Sequence, residues 1–231
     1  MCSNNKTKRF QTYSKEFSNK NSLLETIMDE AEKLFAEKGF SGTSIREITE
    51  KANCNLAAVN YHFHGKKNLY IDIFRRRMNL LAKQRIHRLE ERFSEKDFQM
   101  NLESLIYSFV EIFLEPFIKN GSGNNLMKLM MHERYDPHLP KGLFLNEVVQ
   151  PVRNTMRQAL LVVCPELNRA NADQCLHSIV AQLLNLLQAQ HLFEGLKEEQ
   201  VPLLNIEKSI KHIVKFSIGG IKQYLKAKKN W

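Results

Sequence analysis

Asn55-Leu56-Ala57-Ala58-Val59-Asn60-Tyr61-His62-Phe63 is too short a run to be a stable helix alone, so tertiary packing must hold it. Asn55 is a ready N-cap, because its side-chain oxygen accepts a backbone N–H of the first turn. Val59 and Phe63 stand four apart and would face a core together. Ala57, Ala58, Asn60 and Tyr61 then point outward. Two alanines keep the start of the helix slim, which lets its backbone approach the wall of a DNA groove. A short helix anchored on one side and bare on the other suits the DNA major groove, which admits one helix.

Upstream, Ala52-Asn53-Cys54 reads as a sharp turn. Asn tolerates positive φ better than other non-glycine residues, and Cys54 is a small apolar plug. A second helix starts near Thr43 or Ser44, with Ile45, Ile48 and Ala52 on its buried stripe. Thr43 is a good N-cap, and Ser44 with Glu47 offers an alternative capping box. Two short helices joined this way make a helix-turn-helix. A first helix begins at Ser22, where Ser22 and Glu25 form an S-x-x-E box. It carries Leu23, Leu24, Ile27, Ala31, Leu34 and Phe35 at helical spacing, and Gly39 ends it. Downstream, His64-Gly65-Lys66 breaks the helix, and Lys66 opens a long one with Leu69, Tyr70, Ile73 and Phe74. Residues 1–21, with Lys6, Lys8, Arg9, Lys15 and Lys20, read as a flexible basic arm.

The run Gly39-Phe40-x-x-Thr43-Ser44-Ile45, then Ile48, Ala52, Val59-x-Tyr61-His62-Phe63-x-x-Lys66-x-x-Leu69, resembles the signature of TetR-type transcriptional regulators. The resemblance covers about fifty residues in order and spacing. Asn53 stands where that family usually has Gly, Cys54 where Val is frequent, Asn55 where Ser is common and Thr49 where Ala is usual. Each keeps the turn, plug, cap or small size. Asn60 replaces a frequent aromatic. The resemblance implies that Tyr61, His62 and Lys66 donate to phosphates, with Thr43 and Ser44 doing so from the second helix. Asn60 has the groups to read an adenine edge, and Ala57 or Ala58 to meet a thymine methyl. Asn55 completes the expected DNA-binding set.

The remainder reads as helical, giving an all-α fold: a helix-turn-helix domain at 22–66 followed by a larger antiparallel helical domain at 67–231 for effector binding and dimerisation. Helices are expected over residues 66–92, 97–119 (kinked or ended by Pro116), 125–135, 141–164, 171–193 and 206–228. Cys175, Ile179, Leu183, Leu186 and Leu187 form one apolar stripe, and Ile206, Ile210, Ile213, Val214, Ile218 and Ile221 another. In TetR-like proteins the last two helices of each subunit form a four-helix dimer interface, so homodimerisation through these stripes is implied. His132-Glu133-x-x-Asp136-Pro137 and Ser178-x-x-x-Gln182 also resemble the CecR-like subgroup. For an effector, Phe109, Phe113, Phe117, Met127, Met130, Met131, His132, Tyr135, Phe144 and Gln182 are pocket candidates. Methionine adapts to varied ligands, though every one of these residues also suits plain core packing.

The chain carries a formal charge of +9. Residues 1–77 hold 14 Lys+Arg against 9 Asp+Glu, so a third of the chain carries more than half of the excess. That favours polyanions, with double-stranded DNA ahead of a membrane surface. No apolar run reaches the length of a membrane span, and four scattered cysteines without a CxxC suggest a reduced, cytoplasmic protein with free thiols. Catalytic signatures are missing: His132-Glu133 lacks the second histidine of H-E-x-x-H, and no P-loop, G-x-S-x-G or G-x-G-x-x-G occurs. No cofactor is expected. The TetR resemblance implies a ligand-responsive repressor on a pseudo-palindromic operator. The competing readings are a small-molecule or metal enzyme that retains a helix-turn-helix, and an architectural DNA-binding protein without an effector.

Overall fold

The computed structural model describes residues 4–118, 123–193, 196–197, 200–201 and 205–227, with side chains from residue 23 onward except those of 191 and 227. Among the described residues every regular element is helical: α1 Asn4–Gly42, α2 Ile45–Lys51, α3 Leu56–Phe63, α4 Lys66–Ser94, α5 Leu102–Ile118, α6 Asn124–Tyr135, α7 Gln150–Val163, α8 Arg169–Leu192 and α9 Ile206–Ala227. A π turn, Leu145–Val149, leads into α7. Among the described residues, no helix is long and apolar enough to cross a membrane.

Two helices start more than three residues from where the sequence reading puts them. α1 begins at Asn4 instead of Ser22, through the residues expected to be a flexible arm. No Gly or Pro lies between residues 4 and 21, so nothing there breaks a helix once one has formed. α5 starts later than expected because Asn101 caps it, its Oδ1 accepting the N–H groups of Glu103 and Ser104 at 2.9 and 3.0 Å. The helix expected over 141–164 runs from 143 to 163 and holds the π turn within it. The expected helix ends at 119 and 228 lie outside the described residues.

The chain forms two compact units, one of Met1–Arg77 with Asn124–Lys141, the other of Met78–Gly123 with Gly142–Trp231. This differs from a contiguous split at 66/67. α6 packs on α1 and so belongs to the first unit, and α4 contributes its first turns to one unit and the rest to the other.

In the first unit, Ile27, Ala31, Phe35, Ile48, Val59, Leu69, Tyr70 and Ile73 are completely buried. The rings of Phe35, Phe40 and Phe74 surround Tyr70, with centroids 5.0, 5.1 and 4.9 Å from it. Edge-to-face pairs like these add about 0.5–1.5 kcal/mol each beyond area burial. α1 and α4 are also tied by charge. Glu32, 1% exposed, takes a two-pronged pair from Arg77, both contacts at 2.6 Å. Arg76 meets Glu25 and Asp29.

The end of α6 is fixed by Glu133. One of its carboxylate oxygens accepts the Tyr70 hydroxyl at 3.1 Å; the other accepts the N–H groups of His138 and Leu139 at 2.8 and 2.6 Å. Burial and this carboxylate push the Tyr70 phenol far above its usual range, so it remains a donor. Gly39 turns α1 at φ 72° with His132 against it: a Cβ there would stand 3.0 Å from His132 Nδ1. The position thus needs glycine for both conformation and space.

The second unit is a helical stack in which α5, α8 and α9 pack on one another and α7 packs on α5 and α8. Leu105, Ile106, Val110, Met156, Leu160, Leu176, Ile179, Leu183, Leu186 and Ile221 form its buried centre.

Candidate nucleic-acid interface

α2 and α3 are built by local signals. Ser44, extended at φ −105°, caps α2: its Oγ accepts the Glu47 N–H at 3.1 Å, and Glu47 is also held by Lys38. The turn follows with Asn53 at φ 49°. Cys54 is half-buried behind it, and burial raises its thiol. Asn55 then caps α3, its Oδ1 accepting the Ala58 N–H at 2.8 Å. Val59 and Phe63 hold α3 to the core, and His64 ends it at φ 56° in the left-handed region.

This leaves a defined outward set. Tyr61 is 71% exposed; Asn55, Ala57 and Asn60 are exposed; Ala58 and His62 are half-buried. The Tyr61 and His62 rings meet edge to face with centroids 4.8 Å apart. Lys66 is half-buried, its ammonium 4.2 Å from the centre of the Phe40 ring. Burial lowers its pKa, while Asp136 acts the other way.

Thr43 differs from its expected role. It is 2% exposed, and its hydroxyl donates to the Gly39 carbonyl at 2.9 Å with that of Leu34 at 3.2 Å. The hydroxyl ties off the end of α1, so Ser44, and not Thr43, is the exposed residue at the start of α2. Asn55 has its oxygen committed to the cap, which makes it first a builder of α3.

The effector candidates fall in two groups. Met127, Met130, Met131, His132 and Tyr135 sit on α6 in the first unit: Met127 is buried, Met130, Met131 and His132 are half-buried, and Tyr135 is 82% exposed. Phe109, Phe113, Phe117, Phe144 and Gln182 belong to the second unit, where Phe109 and Phe113 meet edge to face at 5.9 Å. Phe144 is 37% exposed, and the Gln182 amide donates to the Ser178 carbonyl at 3.3 Å. The second unit also carries a half-open groove of about 600 Å³ between α4, α5 and α9, and none of these candidates lines it. Sequence reasoning missed the groove because its charged rim reads as ordinary solvated helix surface. The rim charges answer one another: Arg88 with Glu115 at 2.6 Å, Lys211 with Glu207 at 2.5 Å, and Arg92 with Glu95 at 3.5 Å. Among the described residues no group of three or more His, Cys, Asp or Glu is placed to hold a metal ion. Cys54, Cys164 and Cys175 are free, and Cys2 lies outside the described residues.

Residues 27–73 match the family model described as "Bacterial regulatory proteins, tetR family", and residues 107–220 match "Tetracyclin repressor-like, C-terminal domain". The chain belongs to the TetR family. It is 48% identical over 48 residues to the probable HTH-type transcriptional regulator YttP of Bacillus subtilis, covering 21% of this chain and 23% of that protein. It is 41% identical over 48 residues to the biofilm operon icaADBC negative transcriptional regulator IcaR of Staphylococcus aureus, covering 21% and 26%. The match thus spans about a quarter of the length of these curated relatives. At the level of fold the TetR likeness is much wider. The structure of the TetR-family regulator PfmR from Thermus thermophilus superimposes with a TM-score of 0.53 at 18% identity, over 80% of this chain and 97% of that one. These relatives are named as regulators, not as enzymes. The C-terminal match is to the tetracyclin-repressor-like model, so the CecR-like likeness rests on sequence resemblance alone.

Proposed function

We propose that this TetR-family chain is a dimeric, effector-responsive transcriptional repressor that places α3 in the major groove of a pseudo-palindromic operator. The observation that carries this reading is the division of α3, with Val59 and Phe63 buried and Asn60 and Tyr61 exposed on a helix capped at both ends. Tyr61, His62 and Ser44 contact phosphates and set register, and Asn60 reads a base edge. Lys66 reaches a phosphate once its ammonium leaves the Phe40 ring. The α2 and α4 N-termini add backbone N–H groups that favour anions.

Dimerisation through α8 and α9 fits the exposed apolar and small residues these helices carry. Phe216 is 64% and Leu192 73% exposed, Tyr224 is 42% exposed, and Ala181, Gly219 and Gly220 face outward. A second copy applying the same face covers them on both protomers. Half-sites lie about one helical turn or slightly more apart. Effector binding acts through α4, which has residues in both units, and reciprocity requires DNA to weaken effector binding by the same factor, worth about 1–3 kcal/mol.

A gel shift with the DNA upstream of the chain's own gene tests the reading. Wild-type protein should retard it specifically, and Tyr61→Ala should weaken that binding. Lys66→Ala should weaken all sequences alike and reduce the salt slope by about one. Asn60→Ala should change the sequence preferred in a selection. Wild-type protein that shifts no operator but turns over a substrate would sink the regulator reading in favour of an enzyme.

A further inference from the structure

Arg85, on the part of α4 that belongs to the second unit, is 6% exposed. Its Nη2 donates to the Phe113 carbonyl at 2.9 Å, and its guanidinium carbon lies 3.8 Å from the centre of the Phe113 ring and 5.9 Å from that of Phe117. Its Nε–H is buried and has no acceptor among the described residues. Among the described residues no carboxylate faces it, and burial alone pushes the guanidinium down to about 9. At neutral pH it is still a cation.

Arginine is almost never fully buried without a partner, because hydrogen bonds to neutral groups lower the cost of a buried charge without neutralising it. The carbonyl and the ring explain part of this arrangement. Pro116 has no N–H and deprives the Ile112 carbonyl of its helical donor, so an Arg85 N–H at the next carbonyl steadies this stretch of α5. That contact uses Nη2 and leaves both the charge and the Nε–H unanswered. The groove between α4, α5 and α9 differs on this point, since its rim arginines and lysine are all paired with carboxylates.

We propose that Arg85 anchors the carboxylate of an apolar monoanion whose body lies against the aromatic side of α5, Phe109, Phe113 and Phe117. One unneutralised positive charge calls for one negative charge; a phosphate dianion would leave a buried charge of its own. The planar guanidinium matches a planar carboxylate and gives it a charge-assisted bond from Nε. Phe117 is the least covered of the three rings and marks the side from which the acid arrives. The inference rests on the regulator reading in so far as it names the chemical class of the effector.

The test is thermal unfolding of the full chain with octanoate and with 4-phenylbutyrate, each against its uncharged primary amide. At least one acid should raise Tm saturably, by about 5 °C at a hundredfold excess over its Kd, and its amide should not. Arg85→Met should abolish that rise while leaving the ligand-free Tm equal or higher, since an unpaired buried charge has been removed. Should Arg85→Met not fold, the acid-against-amide comparison on the wild type still decides, and Arg85→Lys, which keeps the charge but not the Nε donor, should weaken the acid about tenfold. If neither acid raises Tm, if the amide serves as well, or if Arg85→Met keeps the rise, the anchor is wrong and Arg85 only steadies α5. A chain that shifts its operator yet ignores both acids loses this inference and keeps the regulator reading. Acid-specific stabilisation without operator binding does the reverse.

Discussion

Asn53 holds the turn between α2 and α3 at φ 49°, a conformation that costs most L-residues about 1–2 kcal/mol and Asn less. Glycine, usual there in TetR-type sequences, meets no such cost. Asn53→Gly should therefore leave chemical-denaturation stability within about 0.5 kcal/mol of wild type, whereas Asn53→Val should lose about 1–2 kcal/mol. Equal losses in both would mean that the Asn side chain, and not its backbone, matters. At Thr43 the same level of detail reverses a reading. A threonine beside a serine at a helix start looks like a second phosphate donor, but burial and the Gly39 carbonyl take its hydroxyl inward. Sequence cannot decide which of two adjacent hydroxyls is the cap and which the plug, because both satisfy the same local rules.

At the scale of elements, α3 is legible from sequence because every part of it is local: a cap at Asn55, two apolar residues four apart, and a left-handed exit. α6 is not. Its apolar run announces a buried face without saying what covers it, and α1 turns out to be the cover, with Gly39 against His132. The loop after α6 adds a polar latch, where the Ser41 hydroxyl donates to Asp136 at 2.8 Å. His138 Nε2 stands 2.9 Å from the other Asp136 oxygen but off the line of a hydrogen bond. The His138 imidazole, then the Ser41 hydroxyl, hold the Asp136 carboxyl below its usual 3.8. A carboxyl with a lowered folded-state pKa stabilises above its unfolded value and loses that effect as pH falls through the folded value. Wild type should thus be more stable than Asp136→Asn above about pH 4, and the two should converge below it. A difference that persists in strong acid would show that the latch is not electrostatic.

For the whole molecule, the proposed α8–α9 dimer makes DNA affinity depend on protomer association. Phe216, 64% exposed on α9, is a large apolar residue that a partner would cover. Phe216→Asp sets like charges against each other across a two-fold axis, so sedimentation should show a shift toward monomer and operator binding should fall with it. Unchanged sedimentation would place the dimer face elsewhere. At this scale the basic excess acts too. It is spread over the chain with a bias to the first third, and steers association with DNA without choosing a sequence.

What the sequence by itself determined is the helix-turn-helix, the Asn55 cap of α3, the turn at Asn53 and the all-helical character of the rest. These depend on i, i+3 and i, i+4 spacing and on short-range hydrogen bonds, which the order of residues carries. What only the tertiary structure decided depends on neighbours distant in the chain. It assigned α6 to the first unit, drew the Thr43 hydroxyl inward and set the groove apart from every candidate effector residue. It also buried Arg85 against Phe113 with no carboxylate in reach among the described residues. An arginine on an amphipathic helix looks the same in sequence whether it meets water or a ring; burial, which decides its energy, is a property of the packed chain.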